Sequence, residues 1–98
     1  MVIRVAIEDL GGWSAAARVL AEYDPLERTI RVNRRCVETL SESYGPEAAQ
    51  AFVSCAIAHE LFHAGSTRGG EAAAHAFAER LTGIDPHRFE AMLRQIAC

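Results

Sequence analysis

Apolar positions follow two periods along this chain, and the change from one to the other divides it. Val2, Ile3, Val5 and Ile7 surround Arg4 in a β-branched run that suits a strand over Val2–Ile7. Gly11-Gly12 breaks it, and Ser14 is placed to cap a helix from Ala15 to Glu22, with Trp13 packing at its start. The Asp24-Pro25 step marks a turn over Tyr23–Glu27. From Arg28 to Asn33, Ile30 and Val32 alternate with polar residues, which predicts an exposed or half-exposed strand. Helical spacing then takes over, with Cys36, Val37 and Leu40 on the inner side of a helix from Arg34 to Ser43. Gly45-Pro46 ends it, and proline suits the first turn of the next helix. That helix, Glu47 to His63, is apolar on most faces, as a helix through the middle of a small domain must be. Glycines at 65, 69 and 70 stop it, a helix restarts near Glu71, and Asp85-Pro86 opens a last amphipathic helix carrying Met92, Leu93 and Ile96. Strands first and helices afterwards make the fold α+β.

Composition narrows the function classes. The 98 residues form one domain, 1–98, with room for a modest core but not for a peptidase of two full lobes. A net charge of −3 gives no basic footprint for nucleic acid, and Arg31, Arg34 and Arg35 read as a solvated rim. Arg4 interrupts the first apolar run too early for a signal peptide, and no later stretch is long enough to cross a bilayer without charges. The expectation is a cytoplasmic protein with no membrane partner. Its three cysteines, Cys36, Cys55 and Cys98, are odd in number and form no close pair, so no disulfide framework is expected. Cys55 lies one helical turn before His59 and is expected to be a buried free thiol.

The chemistry is concentrated in His59-Glu60-Leu61-Phe62-His63. Residues four apart on a helix share a face, so His59 and His63 can aim two imidazoles at one point while Glu60 leans over it. Zn²⁺ takes neutral imidazole readily, and a catalytic site needs three protein ligands and an open position. The third must be His, Cys, Asp or Glu returned to the metal after a turn, and Glu71 fits. His75 lies one turn beyond Glu71 on the same face, where it can either orient a zinc-bound histidine by hydrogen bonding or bind metal itself.

The run His59-Glu60-x-x-His63, followed by Glu71-x-x-x-His75-x-Phe77-Ala78-x-x-Leu81, resembles the gluzincin metallopeptidases, and most of all the compact ImmA/IrrE-type proteins and minimal gluzincins. The resemblance spans Tyr23 to Leu81 and is strongest from Ala58 onward. It implies a minimal zincin-like domain, with a small N-terminal sheet, an edge strand over the central HExxH helix and two further helices. It makes His59, His63 and Glu71 the zinc ligands and Glu60 the general base. His75 stands where the family usually has Asp or Asn, a departure from its pattern. By the same analogy Arg28–Val32 is the edge strand that pairs with an extended substrate.

Zinc chemistry then implies hydrolysis of peptide bonds, Glu60 taking the proton of a metal-activated water as it attacks the carbonyl and passing it to the leaving amine. Such a small scaffold implies a shallow site and a restricted protein substrate, by family analogy a regulator or repressor. Tyr23, Tyr44, His87 and Arg68 are the candidates for stabilising the oxyanion. Two other classes compete: a zinc-containing regulatory or interaction module of the same fold without meaningful peptidase activity, and a metal-free helical domain in which His59 and His63 are core histidines.

Overall fold

The computed structural model describes residues 2–11, 20–65 and 70–97. Three strands lead: β1 (Arg4–Glu8), β2 (Ala21–Asp24) and β3 (Thr29–Asn33). They form a sheet in the order β1-β3-β2, β1 parallel to β3 and β2 antiparallel to it. Four helices follow: α1 (Arg34–Tyr44), α2 (Pro46–Gly65), α3 (Glu71–Thr82) and α4 (His87–Ala97). The α+β class is therefore observed, with strands early and helices late.

The sheet corrects two expectations. The segment 28–33 is not an exposed edge: β3 is the middle strand, and Ile30 and Val32 are fully buried against the helices. Alternation alone does not distinguish an edge strand from a central one whose second face is covered by long polar side chains. Arg31 supplies that cover, reaching Glu8, Glu22, Asp24 and Glu27 across all three strands. The second correction concerns Ala21 and Glu22, expected at the end of a helix but paired as strand with Val32 and Arg31. Long-range pairing overrides the helical preference of alanine and glutamate there. The helix start at Ser14 and the packing of Trp13 lie outside the described residues. The turn is shorter than expected, Tyr23 and Asp24 belonging to β2, with Asp24 Oδ1 accepting from the backbone N–H of Leu26 and Glu27 to close it.

The helices begin and end where local chemistry places them. Asn33 caps α1 by accepting from Arg35 N, and its buried amide also accepts from Leu10 N and donates to Gly11 O, fastening the end of β1 to the start of α1. Gly45, at φ 95°, turns the chain into Pro46 at the head of α2. Gly83, at φ 75°, ends α3, its N–H returning to Glu79 O. Asp85 accepts from His87 N at the entry to α4, as the Asp-Pro step predicted.

One core joins these elements: Ile30 and Val32 of β3, Cys36 and Leu40 of α1, Phe52, Cys55 and Ala58 of α2, Ala78 of α3, and Phe89 and Leu93 of α4. Phe52 and Phe89 meet edge to face at 5.6 Å, tying α4 to α2. Cys36 and Cys55 are buried thiols outside any disulfide, as expected for Cys55, and burial pushes the Cys36 pKa up to about 11. Cys98 lies outside the described residues. Among the described residues no helix is long and apolar enough to cross a membrane.

Candidate metal centre

The two histidines and the glutamate of the motif are delivered by the C-terminal half of α2. Glu71 is the first residue of α3, set directly after Gly70. A glutamate there is favoured by the helix dipole, and its position turns the carboxylate towards α2. Both helices bury small residues: Ala58 of α2 and Ala74 and Ala78 of α3 are almost or wholly inaccessible to solvent. Phe62 and Phe77, ring centroids 5.7 Å apart, add an aromatic contact between them.

This packing gathers all four histidines of the chain. Glu71 is the hub: its Oε2 lies 2.9 Å from His59 Nε2 and 3.8 Å from His75 Nε2, and its Oε1 lies 3.0 Å from His63 Nε2. The His59 ring meets the rings of His63 and His75 edge to face, both at 4.8 Å, and His75 stacks flat on His87 at 4.5 Å. One donor atom each from His59, Glu71 and His75 lies within 4.8 Å of the others, a spacing that can hold a metal ion. Of the expected donors, His59 and Glu71 belong to this group and His75 completes it; His63 is not among its three residues and reaches the cluster through the other Glu71 oxygen, Oε1.

The protonation pattern of His59 identifies what this arrangement needs. His59 Nδ1 lies 3.3 Å from Glu60 Oε1, and because a carboxylate only accepts, this contact is a hydrogen bond in the tautomer that carries its proton on Nδ1. In the neutral ring Nε2 then carries a lone pair, facing the anionic Glu71 oxygen. That nitrogen is buried and makes no properly angled hydrogen bond, and neither does His75 Nδ1. Lone pairs facing a carboxylate are stable only with a cation between them, either a second proton on the ring or a metal ion. The Glu60 hydrogen bond, together with the charges of Glu71 and Glu60, outweighs burial and raises the His59 pKa above its ordinary value. His75 moves the opposite way, its pKa lowered by burial and by the neighbouring His59 and His87, so it favours the neutral form in which imidazole binds metal.

A cleft of about 210 Å³ opens beside these donors. Phe52, Cys55, Ala56 and Phe89 make its apolar wall, His59, Glu60, Glu71 and His75 its polar end, and Leu20 and Ala21 its rim. Glu60 is only 8% exposed, a buried carboxylate at the cleft. The strand at the rim is β2, an edge strand, which takes the place in the fold that the sequence had suggested for 28–32. The alternation Ala21-Glu22-Tyr23-Asp24 just before the Asp-Pro turn is the signal that could have identified it. Of the oxyanion candidates, Tyr23 and Tyr44 do not line the cleft, and Arg68 lies outside the described residues. His87, the remaining candidate, is exposed and does not line the cleft, but it stacks on His75 of the cluster. Its place was not legible from spacing, because α4 brings it back from a separate helix.

No family model matches this chain, and no curated protein and no solved structure matches it either.

Proposed function

We propose that the chain is a zinc metallopeptidase of minimal zincin-like form, with His59, His63 and Glu71 as metal ligands and Glu60 as general base. The observation that supports it best is the Glu71 carboxylate, whose two oxygens reach Nε2 of both motif histidines while the Glu60 carboxylate lies buried at the adjoining cleft. Imidazole nitrogens with one carboxylate form a donor set well suited to zinc. When bound there, zinc would supply Lewis acidity and draw the pKa of a water towards neutrality.

The chain's own groups divide the remaining work. Glu60 spends one oxygen on His59 Nδ1, fixing that ring's tautomer so that Nε2 faces the donors, and keeps a second oxygen to accept the water's proton and return it to the leaving amine. The free edge of β2 offers main-chain groups to an extended peptide, which recognises backbone rather than sequence. The apolar wall of Phe52, Ala56 and Phe89 accommodates one substrate side chain and keeps water away from it. With so little surface around the cleft, the substrate is a particular protein with an accessible segment, inside the cell that makes it.

The test pairs metal analysis with one substitution. The purified protein is expected to hold about one zinc per chain, and Glu60→Gln to keep it while losing about 10²- to 10⁴-fold in hydrolysis of a peptide library. Equal cleavage by Glu60→Gln, or failure to take up zinc, would sink the proposal. Zinc-loaded wild type that cleaves nothing would leave the alternative, a zinc-holding interaction module.

A further inference from the structure

We infer that His75 is itself a ligand of this metal, so that the resting centre is closed by four protein donors, His59, His63, Glu71 and His75, and opens only when His75 withdraws. This rests on the reading that the cluster holds zinc, and it adds regulation to the same site.

The alternative role for residue 75 is to orient a zinc-bound histidine, which requires a hydrogen bond to that histidine's free nitrogen. The structure does not arrange this. His59 Nδ1 is already engaged by Glu60, and among the described residues no hydrogen bond joins His75 to His59 or His63. Instead His75 Nε2 points at the same Glu71 oxygen that faces His59 Nε2, at 3.8 Å against 2.9 Å. Donors about 2.0–2.1 Å from a tetrahedral zinc stand about 3.3 Å from one another. The mutual limit of 4.8 Å for His59, Glu71 and His75 closes to that spacing by small side-chain rotations. A shell of three imidazoles and one carboxylate leaves no position for water.

The same geometry provides a way out. His75 is among the residues that line the cleft, so a side chain entering it meets the His75 ring. Its outer face lies flat on exposed His87, at an interplanar angle of 4°, which supplies a surface along which the withdrawn ring can rest. Occupancy of the cleft and opening of the metal are thereby coupled, and a protein without its proper substrate keeps its centre shut.

The decisive measurement uses the intact wild-type chain loaded with NMR-active cadmium, with isotope-labelled histidine. Scalar coupling from the metal to ring nitrogens of His59, His63 and His75 is expected; coupling to His59 and His63 alone would overturn the inference and leave the zinc reading standing. Failure to take up metal would remove both. In the cobalt-loaded form, azide is expected to perturb the visible spectrum of His75→Asn at concentrations at least about 10-fold lower than those needed for wild type. Equal sensitivity of the two proteins would again mean that wild type is already open. The cadmium experiment needs no substitution, so the inference is exposed to failure even where His75→Asn does not fold.

Discussion

His59 carries the most constrained chemistry in the molecule, between Glu60 on Nδ1 and Glu71 on Nε2. Its raised pKa means that the metal-free protein gains stability from protonated His59 that is full below the unfolded value, about 6.5, and fades as pH rises through the higher folded value. His75, with its lowered pKa, acts in the other sense, costing stability as pH falls through its unfolded value. Under the zinc reading, uptake at a pH below the raised His59 value is expected to release protons, seen in calorimetry as a dependence of apparent enthalpy on the buffer's own ionisation heat. Uptake without proton release would mean that His59 is not a ligand. The clustering of these side chains was legible in the sequence because helical spacing is local: His59 and His63 four apart, and Glu71 and His75 four apart after a glycine turn. What spacing left open was the relation between the two pairs. It depends on how closely α3 lies on α2, which is decided by tertiary packing.

The element that holds the rest in place is β3 with its continuation into α1. Asn33 sits at their junction, 1% exposed, and bonds to Leu10, Gly11 and Arg35 at once. Asn33→Ala removes a helix cap and orphans buried main-chain groups, so a loss of about 2 to 4 kcal/mol is expected in urea unfolding. A loss within the error of the measurement would mean that the junction is held by the apolar core alone. The boundaries at the two ends of the helical half were the readable part, because Gly45, Pro46 and Asp85 act within a few residues of themselves. Strand order was not readable in the same way. Arg28–Val32 looked like an edge because its polar positions looked solvated, whereas Arg31 lies across the sheet with carboxylates from both neighbouring strands and the turn. That arrangement combines residues far apart in the chain, and periodicity carries no record of it.

For the molecule as a whole, the core is small, and a metal shared by α2 and α3 would contribute to stability by mass action. With free zinc at about 100 times Kd the gain is about 2.7 kcal/mol, so chelation is expected to lower Tm by about 10 °C or more in a chain of this length. An unchanged melting curve would mean that the fold does not depend on the ion. The buried alanines of those helices carry a further consequence. Ala58, Ala74 and Ala78 are 2%, 0% and 0% exposed, so a larger side chain at any of them must push neighbouring elements apart. In a metal-loaded protein the spacing of α2 and α3 would set the bite of the chelate, because the candidate donors are fixed to the helices in pairs. Choice of cation would then reside partly in residues that never touch it: a larger side chain at position 78 is expected to shift preference towards ions of greater radius, while each ligand remains chemically unchanged.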